Sequence, residues 1–202
     1  MPDKPRADAI RAFVALDLES TSLRRVARVA DRLRMASGAP SATWVAAANM
    51  HVTLKFMDEL PSAAANELAN DLRSLVEGRA APAACRFRLA AFPDLETAHV
   101  VVAELEDKGG QLSKMSAEVS SLALDLGVQP EERAFRPHIT LARLKRPYDA
   151  RRWLRGELAE EVGECRAASL TVTASNTDAI ALYERLGFRK VKEFFACVWD
   201  GF

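Results

Sequence analysis

The sequence predicts an α+β fold of two lobes around one cleft. Three observations carry that reading. Apolar patterning runs strand, helix, strand, helix, strand, strand, helix, strand, helix along the chain. Two of the three histidines stand in one repeated frame, His51-Val52-Thr53-Leu54 and His138-Ile139-Thr140-Leu141. The frames lie 87 residues apart, close to half the chain, and each follows a helix, so each half delivers one such strand. The 202 residues suit one domain, or two small lobes sharing a core, and an apolar content of 49% suffices to fill that core.

The elements follow in order. Ala12 to Leu18 reads as a buried strand through Phe13, Val14 and Leu16. Ser20 to Ser22 offers cap residues for a helix to about Ala36, with Leu23, Val26, Val29 and Leu33 on one face, and Gly38-Ala39-Pro40 breaks it. Trp44-Val45 leads to a loop, and Met50 to Met57 is the strand of the first frame. Pro61-Ser62 opens a second helix, with Leu68, Leu72 and Val76 at helical spacing, ending near Gly78. Cys85 to Phe92 alternates as a strand, and His99 to Leu105 is a Val-rich one. After a turn at Asp107 to Gly110, a third helix spans about Leu112 to Leu126 and stops at Gly127. Phe135-Arg136-Pro137 leads into the strand of the second frame, and Pro147 starts a helix holding Trp153, Leu154 and Leu158.

Composition excludes several classes. Lys plus Arg equals Asp plus Glu, 28 each, so no global field draws the chain to nucleic acid and an anion must be held by local donors. Cys85, Cys165 and Cys197 are odd in number and form no CxxC pair, which argues against a zinc or disulfide framework and for a reduced, cytoplasmic protein. The first apolar run meets Asp17 too soon for a signal peptide or a membrane span. No membrane association and no obligate protein partner is expected.

The paired frames carry the chemistry. His and Thr at i and i+2 of a strand share a face. Thr is scarce, 8 of 202 residues, so its place two after both histidines is informative. Two such strands side by side bring two imidazoles and two hydroxyls to one small volume. Near neutral pH one imidazole can be neutral and the other charged, so one accepts a proton while the other donates one. The hydroxyls suit non-bridging phosphate oxygens. Lys55, four after His51, shares its face of an ideal strand but is expected to be solvated; Arg143, five after His138, is the candidate cation. His99 lacks the Thr and reads as structural, while Trp44 and Phe56 read as core or cleft wall. No carboxylate-rich metal cluster accompanies the histidines, so no metal and no cofactor is expected.

HVTLKF and PHITLARL, with RAFVALDL and WV before them, resemble the 2H phosphoesterase superfamily, in particular its bacterial RNA 2′,3′-cyclic phosphodiesterases, also known as 2′-5′ RNA ligases. The likeness covers about residues 10 to 155. It implies a bilobal α+β fold with two antiparallel sheets around a central cleft and helices outside. It implies metal-independent hydrolysis of a 2′,3′-cyclic phosphate to a 2′-phosphomonoester, with weak reversible 2′-5′ joining of RNA ends. The implied partners are RNA 2′,3′-cyclic phosphate ends or small cyclic nucleotides. The implied roles are acid and base for His51 and His138, and phosphate binding for Thr53, Thr140 and Arg143. By the same analogy His51 is the acid and His138 the base. The competing class is a catalytically weak RNA-end or nucleotide binding protein using the same cleft.

The chain divides into a 2H-like domain, residues 1–168, and a C-terminal strand-helix-strand segment, residues 169–202. The run from Asn176 to Phe188 resembles the end of a GNAT-type N-acetyltransferase. The stretch before it has no Gly-rich loop at a helix start to hold a pyrophosphate, so the segment is expected to complete the same fold rather than to transfer acetyl groups.

Overall fold

Branched and small apolar residues in alternation draw Ala9–Leu18 into the first strand, β1, with Val14 and Leu16 on its buried face. The computed structural model describes residues 9–154, 163–174 and 195–198. After β1 come helix α1 (Ser20–Met35), β2 (Ala42–Trp44), β3 (His51–Pro61), helix α2 (Ala65–Val76), β4 (Cys85–Phe92), β5 (Ala98–Leu105), helix α3 (Gln111–Asp125), β6 (His138–Tyr148), β7 (Gly163–Cys165), β8 (Ala167–Ala174) and β9 (Phe195–Val198). Val26, Val29 and Leu33 of α1, and Leu112, Met115 and Val119 of α3, recur at helical spacing and are buried. They meet Leu16, Val52, Leu54, Ile139 and Leu141 from the strands in one core.

The strands form one sheet in the order β7-β4-β5-β6-β3-β1-β8-β9, with β2 added to β6, and every pairing is antiparallel. The two sheets expected from the sequence are thus halves of a single one. They join where β3 and β6 pair at Val52 and Ile139. Face patterning reports which side of a strand is buried, not whether two strand edges lie within hydrogen-bonding reach, so this junction is invisible to it.

The sheet also nearly closes on itself. Arg166 alone separates β7 from β8, so one short run pairs with β4 through Cys85–Cys165 and with β1 through Leu18–Ala167. The two cysteines, far apart in sequence, are direct cross-strand partners, and both are free thiols. Gly163 is required at this closure: an added Cβ would run into the ring of Phe87, which is 1% exposed, and lie 2.8 Å from Cδ of Arg25. Gly163→Ala is expected to lower stability by about 1–3 kcal/mol, the usual cost of overpacking, measured as a lower urea midpoint at unchanged slope.

Three elements depart from the sequence reading. The helix expected from Pro147 is replaced by the end of β6, because Tyr148 pairs with Ala98, and a turn follows up to Leu154. The ladder hydrogen bonds outweigh the helix-start signal of the proline there. The residues up to Trp44, given no element by the sequence, form the three-residue strand β2, and the first frame's strand runs on to Pro61. Leu158 and the acetyltransferase-like helix from Asn176 lie outside the described residues. No helix among the described residues is long and apolar enough to cross a membrane.

Candidate active site

Each frame opens its strand, with His51 first in β3 and His138 first in β6. Val52 and Ile139 point into the core, which leaves the His and Thr of each frame half-buried on the opposite face. Counting from the Val52–Ile139 pair, His51 lies opposite Thr140 and Thr53 opposite His138. The four side chains therefore form a square, each imidazole beside the other frame's hydroxyl.

Both frames end in a bulge. Val14 and Ala15 pair with Lys55 and Thr53, so Leu54 is the extra residue of β3. Val101 and Val102 pair with Ala142 and Thr140, so Leu141 is the extra residue of β6. The bulged carbonyls are satisfied in parallel ways: Ser116 Oγ donates to Leu54 O at 2.7 Å, and Val45 N–H donates to Leu141 O at 2.9 Å.

The bulges decide which neighbours share the face. After Thr140 the next residue on it is Arg143, opposite Val100, and it is exposed. After Thr53 it is Phe56, opposite Phe13. Lys55 is shifted to the other face and is 4% exposed, its ammonium donating to Gln129 O at 3.3 Å. The expectation of a solvated Lys55 on the His51 face is thereby corrected: an ideal strand has no extra residue at Leu54. His99 is exposed on β5, in neither frame, and Trp44 packs edge-on against Trp153 at the core boundary.

The imidazoles are held alike. His138 Nδ1 is 2.7 Å from the carbonyl of Arg136, two residues back. A carbonyl only accepts, so Nδ1 carries the hydrogen and Nε2 is left for proton exchange. His51 likewise bonds the backbone of Asn49, two residues back. The ring of Phe13 stacks on His51 at 4.8 Å, and Phe92 meets His138 edge-on at 5.0 Å. Burial lowers the proton affinity of His51 below the ordinary value; Asp17 and the Asn49 carbonyl oppose the fall, and His138 adds to it. The two imidazoles thus sense each other's charge.

A cavity of about 920 Å³ opens from Thr53 and His138. β3, α3 and residues 130–136 enclose it, with Phe56, Phe92, Ser120, Arg133 and Arg136 among its walls. Arg136 lies over the ring of Phe92 at 4.4 Å and forks onto Glu104. Among the described residues Arg133 makes no hydrogen bond or ion pair, and no three His, Cys, Asp or Glu side chains group as a metal site. The sequence reading missed Asp17, Glu104 and the 130–136 wall. A lone carboxylate in each of two mostly apolar strands was the available signal.

A nearly closed antiparallel sheet that sets two His-x-Thr frames side by side is an α+β fold shared with solved structures. The fold matches Escherichia coli LigT solved with 3′-AMP at a TM-score of 0.63 and 20% identity, covering 96% of this chain and 99% of that one. It matches a Thermus thermophilus protein at 0.61 and 21% identity, covering 95% and 96%. The chain belongs to the 2′-5′ RNA ligase superfamily, whose family model matches residues 22–187. Among curated proteins it is 30% identical to the RNA 2′,3′-cyclic phosphodiesterase of Aeropyrum pernix over 155 residues, 74% of this chain and 82% of that one. It is 30% identical to the enzyme of that name from Methanothermobacter thermautotrophicus over 156 residues, 77% and 79% of the two chains. The family match runs into the C-terminal segment, and the acetyltransferase likeness of that segment finds no support.

Proposed function

We propose that the cleft hydrolyses the 2′,3′-cyclic phosphate of an RNA end or nucleotide to a 2′-phosphomonoester, without a metal. The observation that carries this is the square of His51, Thr140, His138 and Thr53 on one face. In this reading the cyclic phosphate lies between the imidazoles. His138, neutral with its hydrogen on Nδ1, takes a proton from water through Nε2 as the water oxygen bonds to phosphorus. The bond from phosphorus to O3′ breaks, and protonated His51 supplies the proton that makes O3′ a hydroxyl. Thr53 and Thr140 hydrogen-bond the non-bridging oxygens, and Arg143 offsets their charge. A 5′-hydroxyl of a second RNA end in place of water would give a 2′-5′ linkage, so weak reversible joining belongs to the same scheme.

Two further facts support a nucleotide ligand. The relatives quoted above carry the name RNA 2′,3′-cyclic phosphodiesterase. The cavity beside the frames combines aromatic faces with Arg133 and Arg136, the pairing that suits bases and phosphates of a single strand. Arg133, without an ion pair among the described residues, offers a local positive charge to an anion in a chain of zero net charge.

The test is incubation with 2′,3′-cyclic nucleotides and a short RNA ending in a cyclic phosphate, each with and without EDTA, with products resolved by phosphorus NMR. The expected product is the 2′-phosphate, at equal rate in both conditions. A rate abolished by EDTA and restored by a divalent metal removes the metal-free scheme. A folded protein that binds these compounds but turns over none leaves the binding-protein reading in its place.

A further inference from the structure

Each histidine has a carboxylate as its outer neighbour across the sheet. Asp17 of β1 pairs with His51, and Glu104 of β5 pairs with His138. The two carboxylates occupy matching places but differ in what neutralises them. Glu104 accepts from Arg88 Nη2 at 2.8 Å and from Arg136 Nε at 3.1 Å, so two guanidinium groups offset its charge. Burial pushes its carboxyl up, yet the hydrogen bonds from Arg136 and Arg88 outweigh that and hold it below the ordinary value. Asp17 has no cation partner among the described residues. Its one side-chain hydrogen bond comes from Ser169 Oγ of β8, at 3.3 Å, from the strand on its far side.

We propose that Asp17, steadied by Ser169, is a positioning residue that acts through His51, its uncompensated charge favouring the protonated form of the imidazole that the proposed mechanism uses as donor. This rests on the phosphodiesterase reading for its role in turnover but not for its effect on the imidazole. His51 sits in a burial-depressed environment, where a proton donor would be lost too early as pH rises. Asp17 restores part of its proton affinity. At His138 the matching carboxylate is already engaged by two arginines. Among the described residues the charged or titratable groups facing His51 are Asp17 from β1 and His138 from β6, beside the Phe13 ring and the Asn49 backbone. Two frames that are near copies are thereby made unequal by residues outside them.

The direct test is NMR titration of the histidine Cε1 protons in wild type, Asp17→Asn, Asp17→Glu and Glu104→Gln. Asp17→Asn is nearly isosteric and keeps an acceptor for Ser169. It is expected to lower the His51 midpoint by about one unit, the low end for removing a nearby opposite charge, and to leave that of His138 in place. Asp17→Glu is expected to return most of the shift. On a cyclic mononucleotide, Asp17→Asn should move the alkaline limb of the rate profile to lower pH and reduce kcat up to about tenfold on that limb, the equivalent of one unit, with KM little changed. A His51 midpoint that does not move, or one that moves together with His138, overturns the proposal. So does a shift confined to the acid limb, which would make His51 the base. The titration needs no substrate: a wild type inert toward every cyclic phosphate refutes the phosphodiesterase reading, while the midpoints still decide the link between Asp17 and His51.

Discussion

Alanine at His138 is expected to lower kcat for cyclic-phosphate hydrolysis by about 10²–10⁴, the usual worth of one general acid or base. The same is expected at His51. The loss should fall on kcat far more than on KM, because in the proposed scheme the imidazoles act on protons in flight while hydroxyls and cations hold the phosphate. The double variant should be little worse than either single one, since an acid and a base that serve one step are not additive. Steady-state rates on a cyclic mononucleotide, with circular dichroism to confirm the fold, measure all three. Losses under tenfold in both single variants would remove the two-histidine scheme, however intact the frames look. His138 is half-buried beside Phe92, and His51 beside Phe13, so truncation leaves space at the cleft rather than in the core. Stability should therefore change little, which separates this effect from unfolding.

Phe87→Ala is expected to cost about 3–5 kcal/mol, the range for emptying a buried aromatic site. The ring is among the largest fully buried side chains and fills the space that Gly163 leaves open. Its strand is paired on both sides, with Leu105 of β5 and with Gly163 of β7. Neither neighbour can slide in without breaking ladder hydrogen bonds, so the void stays. A chain of this size loses about 2–4 °C in Tm per kcal/mol, so calorimetry should resolve the change easily. Partial collapse would show instead as a drop under 2 kcal/mol and would mean that the closure at β7 is soft.

Much of this was legible in the sequence because it depends on faces. The period of two in His51-Val52-Thr53 and in His138-Ile139-Thr140 put each His with its Thr, and the helical spacing of Val26, Val29 and Leu33 gave α1 its buried side. What was not legible depends on edges and on counting. One extra residue at Leu54 exchanges Lys55 for Phe56 on the cleft face, and no local pattern announces it. The spacing of five from His138 to Arg143 fits the same face only once Leu141 is known to bulge. Asp17 and Glu104 gain their meaning from register with strands 34 residues away in each case, and register is settled by the assembled sheet. β2 and β7, three residues each, are too short to show any period.

The nearly closed course of the sheet bears on tolerances. The two halves meet near the histidines at the single pair Val52–Ile139, a joint too narrow to resist rocking by itself. The opposite junction, through Cys85–Cys165, Arg86–Glu164 and Phe87–Gly163 and on into β8, acts as the brace. With both in place the halves cannot open like a book without tearing one of them. In reactions that depend on near-contact alignment, a displacement of about 1 Å can cost about a hundredfold in rate. The span between the imidazoles is therefore governed as much by a short run of backbone at the opposite junction of the sheet as by the residues beside the histidines.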